Sequence, residues 1–208
     1  MTATFVNSFI LFFVTIDTIG NLPFFLSLTE GAKIKKRNQI ALKSIIIAFF
    51  IMITFAYLGR YLLEAIHVSL DSLKIAGGVI LMILAIDILF EKRKIRREKR
   101  VEEALDEKNF EEIIVFPIAF PFIAGPSALT TIILLIGNYT NFPEFQIPVI
   151  LALVAALIVS LVLMIGANFI IKYVHQQILH ATARVMAFIL AALATQFIID
   201  GIKASFNI

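Results

Sequence analysis

The sequence Gly20-Asn21-Leu22-Pro23-Phe24-Phe25-Leu26 interrupts a long apolar run near the start of the chain. A similar interruption, Ile123-Ala124-Gly125-Pro126-Ser127-Ala128-Leu129, lies in the second half, and aligning Pro23 with Pro126 brings the flanking apolar residues into register. Proline removes a backbone donor and clashes with the preceding turn. Each sequence therefore predicts a break in an otherwise apolar helix.

The apolar runs around these breaks are long enough to cross a membrane. Of the 208 residues, 60% are hydrophobic and only 16% are charged, and the mean hydropathy is +0.96. A membrane-spanning helix needs about 20 apolar residues, and six stretches qualify: 4–29, 39–63, 70–90, 113–137, 147–171 and 182–204. The sequence therefore predicts an all-α integral membrane protein with six transmembrane helices, of which helices 1 and 4 are interrupted.

The charged residues are concentrated in one connection. Of the 33 charged residues, 16 lie within Glu91–Glu112, with basic residues in its first half and acidic residues in its second. This pattern predicts a first three-helix unit at 1–90, a charged cytoplasmic linker at 91–112 and a second three-helix unit at 113–208. A helical extension whose two halves pair is favoured over contact of the basic half with anionic lipid, because the segment has no net charge.

Lysine and arginine set the expected orientation. Fifteen of these 18 residues flank the connections after helices 1, 3 and 5, and only Arg60, Lys74 and Lys203 flank the others. Basic connections remain in the cytoplasm, so both termini are expected outside. The same rule accounts for the net charge of +3 without nucleic-acid binding. Because each unit has an odd number of helices, any repeat between the units must be inverted in the membrane.

Several classes of chemistry are excluded or disfavoured. The chain has no cysteine, which excludes disulfides, iron–sulfur clusters, zinc ribbons and thiol chemistry. The predicted helices contain no metal-ligand cluster, so neither a metal nor another cofactor is expected. Intramembrane proteolysis is disfavoured, since no arginine follows Glu111-Glu112 at the needed spacing and no histidine lies at membrane depth for Ser127. We expect no enzymatic activity.

Paired Gly/Pro interruptions in two inverted halves are typical of a transporter site. Each break frees helix N-terminal amides, which favour an anion, and carbonyls of the preceding segment, which favour a cation or an ammonium. A zwitterion with a carboxylate and an ammonium suits such a pair. The alternatives are prolines that only kink packed helices, as we expect for Pro117 and Pro121, and a channel, whose pore usually requires several subunits.

Polar residues near the breaks are the candidate site residues. Asp17 lies inside an apolar run, where an ionisable group is a functional candidate; it is expected to bind the substrate ammonium or carry a coupling proton, with capping of the broken helix as the structural alternative. Gln196 lies mid-span in helix 6, where it either faces the site or bridges helices. The predicted substrate-binding residues are Asp17, Gly20, Asn21, Pro23, Gly125, Pro126, Ser127, Thr130 and Gln196.

Two further groups of residues have simpler interpretations. Gly77 and Gly78 in helix 3 are expected to permit close helix packing. Asp87 and Arg184 lie near the cytoplasmic ends of helices 3 and 6, where interfacial anchoring is favoured over an inner gate.

The residues around both breaks resemble the MarC family of prokaryotic inner-membrane proteins. The stretch Asp17–Phe25 is similar to that family's first-span signature, and Ala124–Thr131 is similar to its fourth-span signature. Two positions depart from the pattern. Thr18 stands where the family usually has a second proline, which predicts a softer first break, and Ser127 stands where the family often has glycine.

The resemblance implies a fold and a function. The implied fold is two inverted three-helix repeats in the cytoplasmic (inner) membrane. The implied function is that of the SnatA-like members, which carry small neutral amino acids such as glycine and alanine and resemble proton-coupled carriers; sodium is the alternative coupling ion. A channel or exporter for another small solute, and a non-transporting membrane protein, remain as alternatives.

Overall fold

The part of the chain that the structure describes consists of helices joined by short connections. The structure is a computed structural model that describes residues 1–65, 67–90, 111–139, 142–167, 169 and 176–206. Its helices are α1 (Thr2–Ile16), α2 (Thr18–Leu28), α3 (Ile34–Ala65), α4 (Leu70–Leu89), α5 (Ile114–Ile123), α6 (Pro126–Asn138), α7 (Pro143–Ile165) and α8 (Gln176–Phe206). Most of the linker 91–112, and with it the predicted pairing of its halves, lies outside the described residues.

The predicted membrane spans are recovered. Five helices are long and apolar enough to cross a membrane, and α5 with α6 provides a sixth span if this bent pair is counted as one. Helix α3 begins at Ile34, before the predicted residue 39. The reason is that its first turn contains Lys35, Lys36 and Arg37, which hydropathy places outside the membrane although they continue the helix.

The first span is interrupted at Asp17, which separates α1 from α2 in a left-handed conformation (φ 50°, ψ 54°). The interruption was predicted at Gly20–Pro23, and the structure corrects this position, because Pro23 lies inside α2. Helical hydrogen bonds continue across Asp17: its N–H donates to the Phe13 carbonyl at 3.2 Å, and its carbonyl accepts from the Asn21 N–H at 3.1 Å. Residues Thr2–Leu28 therefore still form one span.

The fourth span is interrupted far more strongly. Segment α5 is π-helical, with cis peptide bonds before Pro117 and Pro121 and extended backbone angles at Phe116 and Phe120. Helix α6 starts afresh with Gly125 as its extended N-cap and Pro126 in its first turn, and the two axes differ by 58°. The prediction that Pro117 and Pro121 kink a helix is confirmed, because the helical backbone angles are lost at Phe116 and Phe120, immediately before them; the segment itself is π-helical and not α-helical.

Helices α4 and α8 pack closely in antiparallel orientation. A Cβ atom on Gly78 would lie 2.7 Å from the Ala194 carbonyl oxygen, and one on Gly201 would lie 2.8 Å from the Asp71 carbonyl oxygen. The two backbones therefore approach each other at two levels, as was expected for Gly78. Gly77 faces a different helix, since its Cβ would lie 2.6 Å from Cγ2 of Thr130 in α6.

The main apolar core surrounds both interruptions. It is built from buried residues of α1, α2, α3, α5, α6 and α7, while a smaller cluster lies between α4 and α8. Phe24 of α2 and Phe122 of α5 meet in this core with their ring centroids 6.1 Å apart. The two broken spans therefore lie against each other inside the protein.

Candidate functional site

Asn21 connects the two breaks. Its buried side-chain Nδ2 donates to the carbonyl of Ile16 at 2.9 Å and to the carbonyl of Phe122 at 3.0 Å. The Gly20 N–H, which would bond to Ile16 in a continuous α-helix, donates to Asp17 instead, and Pro126, four residues after Phe122, has no N–H to donate. One amide group therefore satisfies a carbonyl that each break exposes.

Asn21 is also one of the residues that line a small cavity. The Oδ1 atom is buried and accepts no hydrogen bond from the described residues. The cavity has room for about one water molecule, and most of its wall is apolar, formed by Ile16, Phe25, Ile118, Phe122, Ile123 and Met164 together with the polar Thr18, Asn21 and Ser160. Because an unsatisfied buried acceptor costs about 1–3 kcal/mol, Oδ1 is a strong point of attachment for a donor group.

Two hydroxyl groups complete the polar part of the cavity wall. The Thr18 Oγ1 and Ser160 Oγ atoms are 2.5 Å apart, and Ser160 donates to the Ala156 carbonyl at 2.8 Å. Since the single Ser160 hydroxyl hydrogen is used in that bond, Thr18 is the donor to Ser160. Ser160 was not among the predicted site residues, although the sequence contains a signal for it, because Ser160 is the lone polar residue in the run 147–165.

Asp17 forms the interruption between α1 and α2, and its side chain caps the second of these helices. Its Oδ1 accepts from the Gly20 N–H at 3.3 Å and so caps the start of α2. Asp17 is half-buried, and its left-handed backbone is one that aspartate tolerates better than most residues. The structure thus shows the capping role that the sequence left open as an alternative. The roles of Asp17 in ammonium binding and proton coupling stay predictions.

The start of α6 lies against the end of α1. The Ser127 hydroxyl donates to the Thr15 carbonyl over a long distance of 3.4 Å, and Gly125 caps α6 without a side-chain hydrogen bond. Pro126 brings no N–H, so the amides of Ser127 and Ala128 are the donors that this terminus presents. The Thr130 hydroxyl is used within α6, where it donates to the Pro126 carbonyl at 2.9 Å.

The structure thus divides the predicted site residues into two groups. Those that lie around the meeting of the two breaks are Asp17, Gly20, Asn21, Gly125, Pro126 and Ser127. Three others point elsewhere: Thr130 packs on α4, Pro23 is exposed on α2, and Gln196 is exposed on α8, where its Nε2 donates to Asp200 Oδ1 at 2.7 Å.

A charged cluster connects the two units at one end of the bundle. Glu111, just before α5, contacts Lys36 of α3 at 2.6 Å and Lys43 at 3.2 Å. Hydrogen bonds from the two ammonium groups hold the pKa of the Glu111 carboxyl below its usual value of 4.5. Among the described residues, no group of three histidine or acidic side chains is arranged to hold a metal ion.

Comparison with known proteins places the chain among membrane proteins of one family. Residues 2–206 match the MarC family of integral membrane proteins. A UPF0056 membrane protein of Archaeoglobus fulgidus is 37% identical, with 95% of this chain and 92% of the relative covered. A UPF0056 membrane protein of Methanocaldococcus jannaschii is 32% identical, with 98% and 88% covered.

The name of a bacterial relative states where that relative is located. The UPF0056 inner membrane protein YhgN of Escherichia coli is 27% identical, with 95% of each chain covered. No solved structure matches the chain.

Proposed function

Since the chain belongs to the MarC family of integral membrane proteins, we propose that it is a secondary transporter of small neutral amino acids, glycine and alanine in particular. The observation that carries this proposal is the Asn21 amide, which bonds to the carbonyls of both broken spans. Its Oδ1 atom is buried and accepts no hydrogen bond from the described residues, and Asn21 is one of the residues that line the adjoining cavity. Interrupted helices that meet inside a bundle are the usual construction of a carrier site.

The proposed site offers partners for both ends of a zwitterion. The ammonium donates to Asn21 Oδ1 and to the carbonyls that end α1 and α5. The carboxylate accepts from the Ser127 and Ala128 amides at the positive end of the α6 dipole. The polar part of the cavity wall is formed by Thr18, Ser160 and Asn21, and none of the cavity-lining residues is charged. A substrate with a charged side chain would find no partner there, which favours small neutral amino acids.

The cavity has room for about one water molecule, so glycine requires the two broken spans to separate. We assign the described conformation to a closed step of an alternating-access cycle. Asp17 serves in this cycle as the coupling group, which takes up a proton when the contact between its carboxylate and the α2 terminus opens; sodium is the alternative ion. Transport occurs across the cytoplasmic membrane, with both termini outside.

The helix packing supports two inverted three-helix repeats in this proposal. The first half of each broken span packs on the middle helix of the opposite unit: α1 packs on α7, and α5 packs on α3. The position of Glu111 beside Lys36 and Lys43 supports a common side for the first connection and the linker.

Labelled-glycine exchange in proteoliposomes tests the proposal. A carrier exchanges labelled for unlabelled glycine at a saturable rate, and Pro126→Ala is expected to weaken this exchange, with the exposed Asn7→Ala of α1 as the matched control. Asp17→Asn is expected to preserve exchange and to abolish proton-driven accumulation, because Asp17 is proposed to couple the proton; loss of exchange in this variant would instead indicate that Asp17 holds the substrate.

The same preparation separates the alternatives. Non-saturable flux without counterflow would indicate a channel. If the folded protein exchanges none of glycine, alanine and serine, the amino-acid assignment is wrong, and flux of another small solute or no transport at all must be considered.

A further inference from the structure

The exposed face of α8 carries a hydrogen-bonded polar pair within a membrane span, with Gln196 near the centre and Asp200 closer to the C-terminal end. The span Ala187–Phe206 has 20 residues, and Gln196 lies at its centre. Gln196 and Asp200 are both exposed and hydrogen-bond to each other at 2.7 Å. Polar side chains at membrane depth are costly and almost always face protein or water. An amide and a carboxylate at this position therefore require a covering that the single chain does not supply.

The exposed residues around Gln196 follow the spacing of a helix–helix seam. Steps of four and three residues alternate along one exposed line, which we call the α8 stripe: Val185, Ile189, Ala192, Gln196, Ile199 and Lys203. This alternation is the heptad spacing with which two parallel helices pack. Ala192 is small enough to allow close approach of a second helix. Lys203 lies near the helix end, where its ammonium can reach the water at the membrane surface.

The α8 stripe faces away from the rest of the protein. The buried residues of α8, which include Leu190, Ala194 and Gly201, lie on the opposite side, against α4. The stripe is therefore distant from the core that holds the Asn21 cavity, which disfavours a water-filled path to that cavity as its covering.

We propose that the α8 stripe is the interface through which two copies of this chain associate in the membrane. Two copies inserted with the same orientation, related by a two-fold axis along the membrane normal, present parallel α8 helices, so each Gln196 meets its counterpart. Glutamine carries both donors and an acceptor, and it is therefore self-complementary across a two-fold axis. Nε2 uses one hydrogen for Asp200, which leaves the second hydrogen and Oε1 for the other copy.

Cysteine cross-linking tests the position of this interface, because the chain has no cysteine of its own. Ala192→Cys, in the middle of the stripe, is expected to give a covalent dimer under mild oxidation in native membranes. Leu151→Cys on α7 is the matched control, since Leu151 is also an exposed residue of a membrane-spanning helix. Equal cross-linking at both positions would indicate random collision and would overturn the proposal.

Single-molecule energy transfer in liposomes of decreasing protein density tests the role of the glutamine. Gln196→Leu is expected to weaken the dimer by about three- to twentyfold, the range measured for interhelical hydrogen bonds in membranes, while Leu151→Ile, on the exposed face of α7 and outside the stripe, leaves it unchanged. An unaltered dimer in Gln196→Leu, or a monomer at all densities in the parent, contradicts the proposal. So does rapid labelling of Gln196→Cys by a membrane-impermeant maleimide, which would show that water covers this face.

Discussion

The two interrupted spans differ in what holds each of them. At Asp17 the chain supplies its own support, because the backbone hydrogen bonds continue from Phe13 to Asn21 and the Asp17 carboxylate caps the next helix. Along α5, from Ile114 to the break at Gly125, the support comes from other helices. Ser44 of α3 donates to the Ile114 carbonyl at 2.9 Å, and Asn21 donates to the Phe122 carbonyl. A break that is satisfied locally leaves a span continuous, whereas one satisfied from outside permits a 58° bend.

The largest expected effect is at the sharper break. Gly125→Ala places a Cβ 2.5 Å from the Pro121 carbonyl oxygen, a backbone atom that cannot turn aside. We expect the free energy of unfolding in detergent to fall by about 3 kcal/mol. Gly59→Ala is the control, because its Cβ meets only the Ile133 side chain, which can change rotamer. Equal losses in both variants would mean that the Gly125 break can relax.

The next effect concerns the residue shared by both breaks. Asn21→Ala leaves the Ile16 and Phe122 carbonyls without their donor, and we expect a loss of about 2–3 kcal/mol in unfolding free energy. Glycine exchange is expected to be abolished. Asn7→Ala, at an exposed position of α1, serves as the control in both measurements. Stability and exchange equal to those of the control would show that the two breaks are independent.

A smaller effect is expected at the softer break. Asp17→Ala removes the α2 cap and places alanine in a left-handed conformation, which together cost about 1–2 kcal/mol. Asp17→Asn is expected to cost less than about 1 kcal/mol, because asparagine tolerates this conformation and retains a capping oxygen. Thermal unfolding of the two variants measures the difference. If both lose the same stability, the carboxylate charge and not the cap supports this break.

The smallest effect is expected at the charged entrance to the fourth span. Because the pKa of Glu111 is lowered in the folded protein, its pairing with Lys36 and Lys43 stabilises the fold above the ordinary value of 4.5 and is lost as the pH falls through the lowered value. The melting temperature of Glu111→Gln should therefore lie slightly below that of the parent at pH 7 and converge with it in acid. The exposed Glu144→Gln should show no such convergence, and a constant difference would contradict the pairing.

The sequence predicted the spans well and their internal geometry only in part. Apolar length decides where a helix crosses the membrane, so five of the six runs were recovered as spans, and the fourth run was recovered if the bent pair α5 and α6 is counted as one span. The first break moved from Gly20–Pro23 to Asp17 because a single left-handed residue needs no glycine or proline when its own side chain caps the next helix. The continuous hydrogen bonds across Asp17 agree with the softer break that was expected from Thr18.

The candidate site was harder to predict because it depends on contacts between distant segments. Asn21 was named as a site residue from its neighbours in the chain, but its bond to Phe122 depends on the bend at Gly125. The importance of Ser160 depends on its hydrogen bond with Thr18, which forms only because α7 packs against α2. Gln196 gave the same sequence signal as Asn21, a polar residue in an apolar run, and only the packing of α8 on α4 showed that it faces outward.

The close approach of α4 and α8 limits how the molecule can move. Gly78 and Gly201 bring the two backbones together at two levels, so sliding or tilting one helix against the other drives main-chain atoms into each other. Helices α4 and α8 are therefore expected to move as one rigid body, although they come from opposite halves of the chain. The two three-helix units therefore cannot move apart as two separate rigid bodies. Any opening near Asn21 must keep α4 and α8 packed together.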